Sequence, residues 1–148
     1  MSSTNVRFPF SIELREQHAA LRSTLSLLEA QVAQKGERVF GERSFLGHLR
    51  TWREHLGQHF HFEEVNGFEG GFGSDDPEIQ EQTGSFVRQH RALEARLDVL
   101  LDRTAAPPGA EDAALLLDEL LLFFRQLRLH DALEDAMLQR IVHGPLDL

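Results

Sequence analysis

Hydrophobic residues recur at steps of three and four in four separate stretches of the chain. In the first stretch they fall at Leu14, Leu21, Leu25, Leu28 and Val32, so these side chains share one face of a helix. No stretch shows the sustained alternation of apolar and polar residues that is typical of a half-buried strand. The pattern predicts four helices, over residues 11–35, 42–65, 77–103 and 110–142, each to within a few residues.

Turn-forming and helix-capping residues separate these four stretches. Ser11 is predicted to be the N-cap of the first helix, and Gly36 is predicted to end it. The glycine-rich stretch 67–76 is predicted to be a loop, because glycine at this density opposes a helix through its backbone entropy. Asp76 followed by Pro77 is a helix start, with an acidic N-cap and proline at the first helical position.

Four amphipathic helices with short connections predict an all-α fold, an antiparallel up-and-down four-helix bundle with a short N-terminal arm. The length of 148 residues suits a single domain over residues 1–148. The net charge of -9 argues against nucleic acid and anionic membranes as partners, because both require a basic surface. The start of the chain lacks the apolar region of a signal peptide, so a cytoplasmic protein is expected.

Ionisable residues interrupt the apolar face of every predicted helix. A buried imidazole needs a hydrogen bond or a metal ion, and a buried carboxylate is rare unless it is paired. One such histidine alone would be an ordinary structural residue. Four histidines on four faces, together with two glutamates, predict a metal site instead. The predicted ligands are His18, His59, Glu63, His90, His130 and Glu134.

The spacing of these residues repeats along the chain. His59–Glu63 and His130–Glu134 both have the form His-x-x-x-Glu, which places the two side chains one turn apart on one helix face. His18 precedes the first motif by 41 residues and His90 precedes the second by 40. The chain therefore contains two helical hairpins with the same order of ligands. Two carboxylates can bridge two metal ions, and nitrogen and oxygen ligands favour iron, with manganese or zinc as substitutes. The absence of cysteine excludes thiolate zinc sites and iron–sulfur clusters.

This order of ligands resembles the hemerythrin-like family, also called the HHE cation-binding domain. The local sequence agrees at Gln17-His18, at Glu63-Glu64 and at Gln89-His90, and the resemblance extends over residues 11–142. The resemblance implies a non-haem centre of two iron ions, bridged by oxo or hydroxo, that binds or reacts with O2, peroxide or NO. It also implies that Glu63 and Glu134 bridge the two ions and that the four histidines are terminal ligands.

One position departs from the pattern of the family. Oxygen-carrying hemerythrins have a second histidine one turn further along the third helix, where this chain has Glu94. Glu94 itself, solvent, or His55, which lies one turn before His59, could replace that imidazole. An anionic ligand would favour ferric iron, so peroxide chemistry or sensing is favoured over reversible oxygen carriage. Glu64 is expected either to contact one of the ligands or to lie in solvent. His55 is expected either to contact one of the ligands or to lie in the apolar core.

The sequence leaves three functions open. The first is a di-iron protein that binds or reacts with O2, peroxide or NO, and whether it is an enzyme is undecided. The second is an iron or redox sensor that acts through a partner by metal-dependent stability. The third is a structural bundle with a zinc or vestigial metal site. The chain is expected to be a monomer or a homodimer. The fourth helix has a second apolar row, which consists of Leu117, Leu121 and Phe124. This row is expected to pack either against a dimer partner or against the N-terminal arm 8–10.

Overall fold

Four long α-helices make up most of the chain. The computed structural model describes residues 3–106 and 108–143, with side chains described for residues 12–68, 72–106 and 108–141. The helices are α1 (Ser3–Lys35), α2 (Arg43–Asn66), α3 (Pro77–Ala105) and α4 (Ala110–His143). Two short 3₁₀ helices, Gly36–Gly41 and Phe68–Gly73, connect α1 to α2 and α2 to α3. The described residues contain no strand, which confirms the predicted all-α bundle.

Polar contacts between neighbouring helices show the direction in which each helix runs. Gln17 of α1 contacts His59 of α2, whereas Gln31, further along α1, contacts the earlier residue His48 of α2. The residue number rises on one helix as it falls on the other, so α1 and α2 are antiparallel. The same reversal holds for the other neighbouring pairs, as shown by Glu64–His90 with Arg53–Asp98, Gln89–His130 with Arg103–Glu119, and His18–Asp135 with Glu29–Arg128.

The core consists of two apolar clusters. The larger contains side chains from all four helices, among them Trp52, whose ring packs edge-on against Phe123 and Phe124. The second apolar row of α4 packs against this cluster: Phe124 is buried and Leu117 and Leu121 are partly buried. The side chains of the 8–10 segment lie outside the described residues. The smaller cluster consists of Leu14, Phe68, Phe86, Met137, Leu138 and Ile141.

The beginning of α1 differs from the prediction. The helix begins at Ser3, so the segment expected to be a short arm has helical backbone and Ser11 is not the N-cap. A cap is needed only where backbone N–H groups have no partner in a preceding turn. Because the helix starts earlier, the N–H groups that follow Ser11 have such partners. The other helix ends lie within two residues of the predicted positions, and Asp76 caps α3 by accepting a hydrogen bond from the Glu78 N–H.

The glycine-rich connection between α2 and α3 also differs from the prediction, because it forms the 3₁₀ helix Phe68–Gly73 rather than an irregular loop. Gly67 makes this possible, since a Cβ atom there would collide with the ring of Phe72. Gly73 ends the segment with a φ of +72°, a conformation that glycine adopts without strain. The segment places Phe68 in the smaller apolar cluster. None of the described helices combines the length and the apolar character needed to cross a bilayer.

Candidate metal centre

A cluster of ionisable side chains lies inside the bundle. The structure brings together all six residues that the sequence singled out, and each is at most 3% exposed. Each helix contributes one histidine, and α2 and α4 each add a glutamate one turn later. The six residues are His18, His59, Glu63, His90, His130 and Glu134.

The first half-site is formed by the two histidines of the α1–α2 hairpin. Glu63 Oε2 lies 3.4 Å from His18 Nε2 and 3.3 Å from His59 Nε2. Glu134 reaches the same half-site from α4, with Oε1 at 3.6 Å from His18 Nε2. Ligand atoms of these four residues all lie within 4.8 Å of one another, so they could hold one metal ion.

The second half-site is formed by the two histidines of the α3–α4 hairpin. Glu134 Oε2 lies 2.7 Å from both His90 Nε2 and His130 Nε2, and the three residues could hold a second ion. The other oxygen of Glu63, Oε1, lies 3.3 Å from His90 Nε2. Each carboxylate therefore directs one oxygen toward each half-site, which is the arrangement required of a carboxylate that bridges two ions.

Most polar atoms of the cluster fit a cation rather than a hydrogen-bond partner, with the exception of His90 Nε2 and Glu134 Oε2, which are hydrogen-bonded to each other. A buried polar atom without a partner is unfavourable, and nearly all such atoms in proteins are satisfied. Here six ligand atoms are buried without a hydrogen-bond partner: Nε2 of His18, His59 and His130, both oxygens of Glu63, and Oε1 of Glu134. Imidazole nitrogen and carboxylate oxygen suit iron, manganese and zinc. A cation at each half-site would satisfy all six atoms.

Two glutamine side chains orient one histidine in each half-site. Gln17 Oε1 lies 2.7 Å from His59 Nδ1, and Gln89 Oε1 lies 2.7 Å from His130 Nδ1. An amide oxygen only accepts, so each Nδ1 is the donor. The hydrogen on Nδ1 leaves the lone pair of Nε2 directed at the half-site, as metal binding requires.

Two carboxylates orient the remaining histidines. Asp135 Oδ1 lies 3.0 Å from His18 Nδ1, and Glu64 Oε2 lies 2.8 Å from His90 Nδ1. Each carboxylate is held in turn by an arginine, Arg22 for Asp135 and Arg91 for Glu64. A carboxylate acceptor makes the imidazole a stronger metal ligand than an amide acceptor does, because its charge raises the basicity of the ring.

The four hydrogen bonds to Nδ1 link four different pairs of helices. Gln17–His59 joins α1 to α2, and Gln89–His130 joins α3 to α4. Two further bonds join the hairpins to each other: Glu64–His90 links α2 to α3, and Asp135–His18 links α4 to α1. The position of each ligand therefore depends on the packing of the whole bundle.

The buried charges of the cluster stabilise one another. Burial alone would lower the pKa of His18, but the carboxylates of Asp135, Glu134 and Glu63 raise it to about 12. Burial likewise opposes the ionised form of His90, whose pKa Glu134 and Glu63 nevertheless raise to about 10. The histidines lower the pKa of Glu63, and that of Glu134 well below its usual value, against the opposing effect of burial. The ionised form of both glutamates is favoured by the positive charge of the neighbouring histidines, a charge that a bound cation would supply in their place.

Aromatic rings enclose the second half-site. The ring of Phe60 stacks on His90 with 3.9 Å between centroids and 6° between planes. Phe68, from the 3₁₀ helix, lies 5.7 Å from His90, and Phe86 lies edge-on to His130 at 5.5 Å. These contacts limit the rotation of both imidazoles and surround them with apolar surface.

Two sequence-predicted residues are not part of the cluster. Glu94 turns to two arginines, with Oε1 at 3.0 Å from Arg91 and Oε2 at 3.5 Å from Arg53. His55 is exposed at a cavity of about 350 Å³ between α1 and α2. The walls of this cavity are Gln17, Ala20, Leu21, Thr24, His55, Gln58 and His59. Of the two positions expected for Glu64, the structure shows the buried one, beside His90 of the cluster.

Sequence reasoning missed three of the four residues that bind the Nδ1 atoms: Gln17, Gln89 and Asp135. A signal was present in the repeat. Each lone histidine is preceded by glutamine, and each His-x-x-x-Glu motif is followed by an acidic residue. The recurrence at equivalent positions of the two hairpins distinguishes these residues from ordinary surface residues.

Comparison with known proteins gives one match. The profile of the Hemerythrin HHE cation binding domain matches residues 11–142, which include all six clustered residues. No curated protein and no solved structure matches the chain significantly. Four helices, six buried histidine and glutamate residues in the expected order and a match over most of the length agree with one another. The chain therefore belongs to the hemerythrin HHE cation-binding domain family.

Proposed function

We propose that this protein holds two iron ions in the cluster and binds or reacts with O2, peroxide or NO there. The observation that carries the proposal is the position of the two buried carboxylates, each with one oxygen toward each half-site. Iron, when bound, supplies electrons and open coordination positions for a small ligand. In this proposal Glu63 and Glu134 are the bridges and the four histidines are the terminal ligands.

The surrounding residues prepare the site for that chemistry. The four Nδ1 hydrogen bonds fix the imidazoles before a metal binds, so little ordering is needed on binding. Phe60, Phe68 and Phe86 exclude water from the second half-site. His59, in the first half-site, borders the cavity between α1 and α2, which offers a small ligand an approach from solvent.

The donor set supports iron more than the alternatives. Each half-site offers two imidazoles and two carboxylate oxygens and leaves further positions open, which suits iron or manganese. A structural zinc site is closed and tetrahedral, and two such sites would leave no position for a ligand. For the location of the protein, our prediction is still the cytoplasm.

Metal analysis and an optical spectrum of aerobically purified protein test this proposal. We expect two iron ions per chain and absorption from charge transfer to iron. A His59→Ala, Glu134→Ala double variant should lose the metal, because it removes one terminal ligand and one bridge. His61→Ala is the matched control, since His61 is exposed on the same helix as His59. Unchanged metal content in the double variant would overturn the assignment.

A sensor function is the second candidate, and the hydrogen bonds that join all four neighbouring helix pairs favour it. Because the ligands link the whole bundle, loss of metal leaves six buried atoms unpaired and should weaken the fold as a unit. Peroxide consumption by the purified protein would favour the first function. A large metal-dependent shift in melting temperature without consumption of peroxide or binding of NO would favour the sensor. A colourless protein that contains zinc would indicate a structural site.

A further inference from the structure

A stripe of exposed leucines runs along the outer face of α4. Leu115, Leu122, Leu129 and Leu133 are 54%, 42%, 61% and 49% exposed, and they are half of the large exposed hydrophobic residues among the described side chains. Steps of seven, seven and four residues place them on one face of the helix. The inward face of α4 carries a different set, which includes His130 and Glu134. The stripe is therefore not needed for the core or for the metal centre.

A cavity at one end of the stripe has the shape that receives a side chain from another helix. Its volume is about 280 Å³, and its α4 wall consists of Leu133, Ala136, Met137 and Arg140. Residues at i, i+3, i+4 and i+7 form the four-sided hole that accepts a knob in helix–helix packing. The α3 wall consists of Phe86 and the polar residues Gln82, Ser85 and Gln89, and Arg140 donates a hydrogen bond to Gln82. An aliphatic side chain from outside the chain would fit this hole.

Most of the stripe is complementary to itself when two α4 helices run antiparallel, whereas Leu133 then lies opposite Asp118 of the second copy. With a two-fold axis between residues 125 and 126, Leu122 of one copy lies against Leu129 of the other. Leu115 then lies opposite Ala136 of the second copy, at the hole between α3 and α4. At the outer ends, Glu111 lies opposite Arg140 of the second copy, so unlike charges meet there.

We propose that two copies of this chain form a symmetric dimer through antiparallel α4 helices, with Leu115 of each copy inserted into the cavity of the other. A single helix pair buries an area at the low end of that found in stable interfaces. Arg125 lies exposed beside the axis in both copies, and its side chain has to turn to solvent there. Both facts lead us to expect a dimer that dissociates at about micromolar concentration.

Sedimentation velocity over a concentration series, from about 1 to about 200 µM, tests for association. We expect the sedimentation coefficient to rise from that of a monomer to that of a dimer. A monomer at every concentration would overturn the proposal. The protein is used with its metal as purified, and metal content is measured for each variant to show that the bundle is intact.

The variant Leu122→Lys tests whether the leucine stripe of α4 forms the dimer interface. A charge at the centre of the interface should raise the dissociation constant at least about tenfold, because a central apolar contact is lost and a charge is desolvated. Val99→Lys is the matched control, since Val99 is 56% exposed on α3, away from the stripe. An equal effect of both variants, or no effect of Leu122→Lys, would overturn the assignment to this face.

A charge exchange tests the antiparallel register. Glu111→Arg should weaken the dimer, because it places two arginines opposite each other at each end. Adding Arg140→Glu to the same chain should restore it, since the pair is then reversed rather than removed. A double variant as weak as Glu111→Arg alone would overturn the antiparallel pairing. This outcome does not bear on the metal centre, whose residues on α4, His130 and Glu134, are buried and do not belong to the exposed stripe.

Discussion

The two half-sites have the same ligands but different surroundings. In the first, His59 borders a cavity that opens to solvent, and the carboxylate that orients His18 belongs to Asp135, which is 39% exposed. In the second, phenylalanine rings cover both imidazoles, and the carboxylate that orients His90 belongs to Glu64, which is 2% exposed. The first half-site has an imidazole at a cavity wall, whereas the cavity between α3 and α4 reaches Gln89 and Phe86 of the second but neither of its imidazoles.

This difference suggests a division of roles. A small ligand coming from solvent would meet the first half-site, where only side chains at a cavity stand in its way. The imidazoles of the second half-site pack against phenylalanine rings, so we expect their geometry to change little when a ligand binds. Identical ligand types thus leave room for distinct behaviour, because the surroundings determine access, hydration and rigidity.

The largest effect is expected from the substitution of a glutamate that both half-sites share. Glu63→Gln keeps the side-chain volume but removes the charge that faces both half-sites. We expect both metal ions to be lost together, with a fall in affinity beyond the roughly 10–100-fold typical of residues outside the ligand set. Metal content of the purified variant measures this. Retention of one ion per chain would show that the half-sites are independent.

The next largest effect is expected from substitutions of Glu64 and Asp135, whose carboxylates bind the Nδ1 atoms of His90 and His18. These two substitutions compare the two half-sites. Glu64→Ala leaves the buried Nδ1 of His90 without an acceptor, so we expect metal affinity to fall about 10–100-fold. Asp135→Ala should have a smaller effect, because water can reach the position of this half-exposed side chain. Competition with a chelator gives both affinities, and Asp98→Ala, a change at an exposed ion pair, is the control. Equal losses of metal affinity in the two variants would show that the different exposure of Glu64 and Asp135 does not affect metal binding.

A smaller effect is expected from a variant that tests whether NO enters through the cavity between α1 and α2. Ala20 lines the cavity beside His59, and Ala20→Trp should narrow it without touching a ligand. We expect the association rate of NO to fall by about three- to tenfold, with unchanged metal content. Stopped-flow absorbance measures the rate, and Ala92→Trp, at an exposed position of α3, is the matched control. If the two variants bind NO equally fast, the ligand does not enter by this cavity.

The smallest effect concerns the position at which this chain departs from oxygen carriers. Glu94 pairs with Arg53 and Arg91 and does not face the cluster, so Glu94→Gln should retain both ions. The free energy of unfolding should fall by at most about 1 kcal/mol, because partly exposed ion pairs contribute little. Thermal melting and metal analysis measure the two quantities. Loss of one ion would show that Glu94 is a ligand.

Most of the fold and all six clustered residues were accessible from the sequence. Histidine and glutamate on an apolar helix face are conspicuous, because burial without a partner is unfavourable. His59 and Glu63 could be placed together because i,i+4 spacing fixes them on one face. The start of α1 could not be predicted in the same way, since Ser11 is compatible both with a cap and with a helix interior.

Residues one turn from a ligand were harder to place. Four residues advance a helix by more than one full turn, so a side chain at i+4 is rotated by about 40° from its predecessor. The step from His59 to Glu63 turns toward the buried face of α2, so the opposite step, to His55, turns toward solvent. On α3 the step from His90 to Glu94 turns away from the buried face, and Glu94 pairs with arginines on α2 and α3 instead. Gln17 and Gln89 were recognised as part of the local sequence but not as partners of the histidines, because a glutamine on a helix is compatible with solvent and only the contacts between helices show its role.

The order of residues is the same in both hairpins: glutamine and histidine on one helix, then His-x-x-x-Glu and an acidic residue on the next. Equivalent residues are separated by 71 or 72 positions, as for Glu63 with Glu134 and His18 with His90. This is the pattern that duplication of one hairpin would leave. Neither hairpin contains a complete half-site, because each half-site takes one oxygen from the other hairpin. A hairpin on its own would therefore have to pair with a second before it could hold a metal ion.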